Sequence, residues 1–308
     1  MKRVKKDEQL LVESLVIENN EPTRKKNLLN LLKQEPNGKL LGIPVKLHIF
    51  NLAKPEPKET FTNWMLKKPN RKKRMYDFFS KKQVANIQTA YVGIQNSIKK
   101  VGEKPAIYNE ESSQESANRL QSWFWNHGWF NAKVDYTKTD TPNPKKTKIE
   151  YQISTGKPYA IRKIESEIQS PAIDSIYQSH LHETYLKKDK QYNTDNFNAE
   201  RDRITNLLRN NGVYYFDREK IEFEADTLNT NQHVNLNLKI GNRIIRNREN
   251  DSLTTEAFKI NRISEVNIFT NYDALNRDAI VTDSIHFKKI KVFSFGQLKY
   301  KPKVLADA

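Results

Sequence analysis

The chain has 308 residues, with 53 Lys and Arg against 37 Asp and Glu, a formal net charge of +16. Hydrophobic residues make up 36%, enough for several small cores, which excludes disorder throughout. The absence of cysteine excludes disulfides and thiolate metal sites, and no stretch reaches the ~20 apolar residues of a membrane helix.

Residues Met1 to Glu8 lack the apolar stretch of a secretory leader, which leaves either a cytoplasmic chain or a mature fragment. The basic excess is compatible with nucleic acid, anionic lipid, acidic partners or simply solvated faces, because acids are mixed with bases almost everywhere. Lys67-Lys68-Pro69-Asn70-Arg71-Lys72-Lys73-Arg74 is the exception, a true basic cluster.

In chain order, Leu10 to Ile17 reads as a strand and Asn19 to Pro22 as a turn. Thr23 to Gln34 reads as a helix with Leu28, Leu29, Leu31 and Leu32 on its apolar side. Leu40 to Leu52 fits either a buried helix or a strand. Residues 53–105, broken by Pro55, Pro57 and Pro69, resemble an insertion, with a helix over Lys81 to Lys100. Ser112 and Glu115 fit a capping box opening the next helix, which ends at Asn126-His127-Gly128. Trp123, Trp125 and Trp129 are expected in the core. Two alternating strands follow, through Val134 and Tyr136 and through Ile149, Tyr151 and Ile153, separated by a turn at Asp140 to Pro144.

The pattern then recurs. A strand carries Tyr159, Ile161 and Ile164; a helix is predicted over Ile173 to Leu186; a second, capped by Asn193, runs to Asn211-Gly212. Strands through Ile221, Phe223 and Ala225 and through Val234 to Ile240 close the unit. Gly241 to Ala257 reads as a polar linker. Phe258 to Ile263 echoes Tyr159 to Ile164 as a third starting strand, with further strand at Ile280 to Phe287 and Lys289 to Phe295.

Asn126-His127-Gly128-Trp129-Phe130 and Asn210-Asn211-Gly212-Val213-Tyr214-Tyr215-Phe216 are similar to the helix-to-strand junction of the polypeptide-transport-associated (POTRA) module, and Tyr151 to Tyr159 resembles the junction between successive modules. The chain resembles the periplasmic region of BamA/TamA-family outer-membrane assembly factors, and most closely the Bacteroidota lipoprotein TamL-like group. Phe61 to Trp64, Gly102 to Tyr108 and Lys299 to Leu305 carry that likeness. The group's acylated N-terminal cysteine and sixteen-stranded barrel are not within these residues.

The resemblance implies an α+β fold of tandem βααββ modules, each a three-stranded mixed sheet covered by two helices. The expected modules are 8–155 with the insertion at about 53–105, 156–241, and 257–308 as the truncated start of a third. It implies a periplasmic location at the outer membrane, and partners that are unfolded outer-membrane protein segments, accessory assembly subunits and the membrane itself through a barrel outside this chain. It implies no nucleic acid, and a monomer. In POTRA-like order the middle strand in sequence lies at a sheet edge, where unpaired N–H and C=O groups can pair with an extended chain. Candidate docking strands are therefore Lys133, Val134, Asp135, Tyr136 and Thr137, and Ile221, Glu222, Phe223 and Glu224.

Lys67, Lys68, Arg71, Lys72, Lys73 and Arg74 form a candidate basic surface with three readings: anionic lipid headgroups, nucleic acid, or a solvated loop. His180 and His182 are expected on different faces of a helix, and none of the six histidines has zinc-ligand spacing. Neither a phosphate-cradling loop nor a nucleophile elbow is present, so no enzyme, catalytic residue, cofactor or metal is expected. The alternative is a basic α+β nucleic-acid-binding protein.

Overall fold

The computed structural model describes residues 4–5, 7–22, 25–246, 251–273, 275 and 279–306. The chain divides into two compact units, Met1–Arg162 with Lys188–Thr194 and Thr227–Val234, and Lys163–Lys187 with Asp195–Asp226 and Asn235–Ala308.

The first unit opens with β1 (Leu10–Glu18) and the two-residue β2 (Glu21–Pro22). The helix expected over Thr23 to Gln34 is cut to α1 (Lys26–Leu29), residues 23–24 lying outside the described residues. Lys25 supplies no capping side chain and the first turn holds no acid, so little favours a longer helix. Tight i→i−3 bonds carry the chain one turn further, and Leu28 and Leu32 still reach the core.

The ambiguous stretch after Leu40 forms α2 (Val45–Leu52), with Pro44 at its N-cap. The insertion is helical: α3 (Pro57–Leu66), α4 (Arg71–Phe78) and α5 (Lys81–Val101), the last opened by a Ser80–Gln83 capping box. The next helix, α6 (Glu110–Asn126), starts before the expected Ser112–Glu115 box. Asn109 is its N-cap, accepting the Ser112 N–H at 2.7 Å, and Glu110 and Glu111 fall in the first turn, where the helix dipole favours acids.

After α6 come β3 (Lys133–Asp140) and β4 (Lys146–Ser154). The sheet order is β2-β1-β4-β3, with β1 parallel and β3 antiparallel to β4. Ile149, Tyr151 and Ile153 alternate inward from β4, against Ala117, Leu120 and Phe124, which three- and four-residue spacing places on one face of α6. Trp123 and Trp129 pack on this core, but Trp125, expected inside, is 53% exposed and edge-on to Phe130.

The second unit contains most of β5 (Ala160–Ile168), then α7 (Pro171–Ser179). The helix expected over Ile173 to Leu186 stops early, because Ser179 Oγ and His180 Nδ1 both bond the Ile176 carbonyl at 2.8 and 3.0 Å, competing with the backbone ladder. The chain continues through a 3₁₀ turn, Leu181–Glu183, and the His180 and His182 rings stack 6.4 Å apart rather than diverging. Helix α8 (Thr194–Asn210) precedes β6 (Ile221–Asp226) and β7 (His233–Ile240), giving the order β5-β7-β6.

Glu200 on α8 is fully buried. Arg203 forks onto it at 3.0 and 2.7 Å, and the Tyr185 N–H donates at 3.0 Å. A carboxylate in that position requires its partners, because an uncompensated buried charge costs ~3–5 kcal/mol. Burial, and secondarily the Glu200 charge, push the buried Tyr177 hydroxyl up to about 12.

The stretch expected as a polar linker carries an antiparallel hairpin, β8 (Arg243–Arg246) with β9 (Leu253–Glu256), residues 247–250 lying outside the described residues. The strand expected at Phe258 to Ile263 pairs with no sheet. Its backbone is already committed: the Phe258 N–H bonds Ser170 Oγ at 3.0 Å and the Asn261 N–H bonds the Gly212 carbonyl at 2.7 Å. The Phe258 ring is buried beside Phe216. Strand β10 (Val266–Thr270) begins later, and with β11 (Asp283–Phe287) and β12 (Ile290–Ser294) gives the order β10-β12-β11, followed by α9 (Pro302–Ala306).

One device occurs twice. Gly128 (φ +88°) and Gly212 (φ +89°) end α6 and α8 in the left-handed conformation. Trp129 N–H bonds Phe124 O and Val213 N–H bonds Leu208 O, each at 2.9 Å, the bond that closes a Schellman cap. Each glycine carbonyl then takes a backbone N–H from a later segment, Tyr159 at 2.8 Å and Asn261 at 2.7 Å. A Cβ on Gly128 would sit 2.8 Å from the Tyr192 carbonyl oxygen, and one on Gly212 2.6 Å from that of Asn261.

Gly128→Ala and Gly212→Ala should each lower the unfolding free energy by ~2–4 kcal/mol, conformational strain adding to overlap. Gly156→Ala, also left-handed but with open space around the added carbon, should lose only ~1–2 kcal/mol. Equal losses at all three positions in denaturant titrations would remove the close approach from the account. At Tyr177, folding raises the pKa from 10.0 to about 12, so the stability due to the neutral ring is complete below the lower value and is lost as pH rises through the higher one. Tyr177→Phe should flatten the fall of the denaturation midpoint across that window, and an unchanged slope would assign the fall to other groups.

Candidate functional site

The edge strands follow from the sheet orders. β6 and β11 are each the second of three strands of their sheet in sequence, β3 is the third of four, and all three are outermost in space. In an antiparallel pair, alternate residues turn N–H and C=O away from the partner, so each of these strands has one row of polar backbone groups directed outward. The opposite edge of the first sheet is occupied. Leu11 N–H bonds Ala106 O and Tyr108 N–H bonds Gln9 O along the first half of β1, and β2 pairs with its last residues.

On β3, Val134 and Tyr136 turn toward the core, while Lys133, Asp135 and Thr137 are exposed. Tyr136 donates to the Glu110 carboxylate at 2.6 Å, and the Tyr108 hydroxyl donates to the same group. The two phenols, Tyr108 first, hold Glu110 below the usual carboxylate range. In return Glu110 raises Tyr136, and burial followed by Glu110 raises Tyr108. Lys138 Nζ lies 4.7 Å from the Tyr108 ring centre. The inner side of this edge is thus pinned to the start of α6.

On β6, Ile221 is buried and Phe223 packs 5.1 Å from Phe197, with the Arg201 guanidinium 5.0 Å from its ring. Arg201 Nε also bonds the Ile221 carbonyl at 3.1 Å. Glu222 and Glu224 are exposed, and Lys239 on β7 bonds Glu224 at 2.7 Å. β11 extends the same arrangement, but the sequence reading did not propose it as an edge, because pairing order and not strand pattern decides it.

The basic cluster is mostly helix and not loop. Lys67 and Lys68 lie in the turn after α3, and Arg71, Lys72, Lys73 and Arg74 are the first turn of α4. Among the described residues none of the six is ion-paired with an acid. Arg71 instead lies over Trp64 at 4.5 Å and donates to its carbonyl. Lys81 and Lys82 occupy the first turn of α5. Cations at a helix start oppose the dipole by ~0.3–1 kcal/mol each. Beneath them Phe61, Met65 and Val84 form a small core, with Met75 and Tyr91 packed on it. Among the described residues no group of His, Cys, Asp and Glu side chains is placed to hold a metal, and no helix is long and apolar enough to cross a membrane.

Residues 10–156, from the first residue of β1 to just past β4, match the model of the POTRA family, described as surface antigen variable number repeat. This stretch is similar to POTRA domains. No curated protein matches the chain. Among solved structures, BamA from Haemophilus ducreyi lacking POTRA domains 1–3 is 19% identical, with a TM-score of 0.32, over 46% of this chain and 25% of that one. The chain therefore spans about a quarter of that structure's length. POTRA domains 3–5 of Haemophilus influenzae BamA are 12% identical over 77% and 99% of the two chains, with a TM-score of 0.29. POTRA domains 1–2 of Omp85 from Anabaena are 14% identical over 76% and 96%, with a TM-score of 0.27.

Proposed function

We propose that the chain is the periplasmic scaffold and docking region of an outer-membrane protein assembly or translocation factor of the BamA/Omp85 type, in the lineage of the TamL-like lipoproteins. In this reading it is a row of POTRA modules, 8–155, 156–241 and one beginning at 257, that bind and do not catalyse. The observation that carries the proposal is the shared strand order, which leaves β3 and β6 outermost with their inner sides fixed by packing. An extended segment of an unfolded outer-membrane protein, or of an accessory assembly subunit, adds to such a rim through backbone hydrogen bonds. Backbone pairing is nearly indifferent to sequence, which suits a handler of many clients.

The affinity expected is low. Each added bond contributes ~1 kcal/mol net, and ordering the guest offsets most of the sum, leaving a Kd on the order of 0.1–1 mM. The charges differ between rims: β3 carries both signs, Lys133 and Lys138 with Asp135 and Asp140, whereas β6 carries Glu222, Glu224 and Asp226. Guests with Lys or Arg at alternate positions are therefore expected to favour β6.

The test uses extended peptides from outer-membrane strands, titrated into the full chain while the backbone amides of 133–140 and 221–226 are followed by NMR. The same peptides N-methylated at alternate residues come in two phases. One phase, whose methyl groups face the rim, should weaken binding at least ~10-fold, and the other should leave it intact. Equal binding by both phases would reject strand addition.

A further inference from the structure

The helical insertion in the first unit is not used by strand addition, and it carries its own chemistry. From Trp64 to Lys82 the chain has eight cations, Lys67, Lys68, the run Arg71 to Arg74, and Lys81 with Lys82, against a single acid, Asp77. Both α4 and α5 begin on these cations, where the helix dipole repels them, so the arrangement is not one that stability of the isolated helices favours. The same stretch leaves large apolar side chains in water: Phe78 is 83% exposed, Leu66 57% and Trp64 47%, with Phe79 exposed beside them. The two features share one place. Lys68, Arg71 and Arg74 line an open groove of about 570 Å³ together with Met75, Phe78 and Phe79. Helix α4 buries none of its residues, so nothing in the fold requires its aromatic residues.

We infer that the α3–α4–α5 insertion is a docking site for the surface of an anionic lipid bilayer. Phosphate headgroups neutralise the cations and gain from two helix N-termini, while the exposed rings and Leu66 enter the interfacial zone, where aromatic side chains with an apolar body are favoured. A polyanion such as a nucleic acid would satisfy the cations but would leave Phe78 and Leu66 in water. The lipid surface is the one occupant that answers both the charge and the apolar exposure. This inference does not depend on strand addition at β3 or β6.

The experiment is flotation of the full chain with phosphatidylcholine vesicles, with and without phosphatidylglycerol. Partition should be at least ~10-fold stronger onto the anionic vesicles at low salt and should fall as salt is added. The variant R71Q/K72Q/K73Q/R74Q should lose on the order of 100-fold or more of that partition, about fivefold per cation removed. F78S/F79S should weaken partition while keeping its salt dependence, because it removes the apolar contribution alone. Circular dichroism, expected unchanged because α4 has no fully buried residue, confirms that the variants are folded, and loss of the Arg71 contact with Trp64 should lower the thermal midpoint of the quadruple variant only slightly. Equal partition onto both vesicle types, or an unaltered quadruple variant, would overturn the proposal. So would a short DNA duplex that binds as tightly as the vesicles and is indifferent to F78S/F79S, since the occupant would then be a polyanion without an apolar part.

Discussion

Direct contact between two backbones at the end of a helix is the constraint on which the architecture depends. At Gly128 and at Gly212 the helix stops in a conformation that favours glycine, and the space where a side chain would stand is filled by a carbonyl from elsewhere in the same unit. The glycine oxygen completes the contact by accepting an amide hydrogen. The helix end therefore serves as a socket as well as a terminus. The aromatic residues around it follow from this: Phe130 sits edge-on to Tyr159 and Tyr192, each at 4.9 Å, and shields the bonds around Gly128 from water.

That socket leaves the sheets free to be asymmetric. Their buried faces are fixed by residues such as Tyr151 and Phe124 in the first unit and Ile240 and Leu208 in the second, so the outer strands need not contribute much to stability. They are accordingly charged and half exposed, with Lys133, Lys138 and the β6 acids on rims that natural sheets protect from indiscriminate pairing in the same way. A rim of this kind is rigid on one side and open on the other, the combination that backbone recognition of an extended guest requires.

How much of this was legible in the sequence varied with the physical cause. The period-two pattern of Ile149, Tyr151 and Ile153 and the glycine at each helix end are local signals, and both were readable. The early ends of α1 and α7 were not, because they are set by missing caps, by side chains that compete for carbonyls, and by ties such as that of Gln34 to Asn109 and Ser113 across 75 to 79 residues. Phe258 to Ile263 has the pattern of a strand, yet its amides are used by Gly212 and Ser170, and that allocation is a tertiary fact. The basic cluster was plain in composition. The exposure of Phe78, Phe79 and Trp125 was not, since aromatic side chains are by default placed inside.

The occupied far side of the first sheet has a consequence for stoichiometry. Residues 106–108 cover the front of β1, and β2 covers its end with a proline, a residue that has no amide hydrogen to offer. A strand arriving on β3 would meet a sheet that can grow in one direction only. This sheet is thereby denied the two-ended pairing on which fibril growth through it would depend.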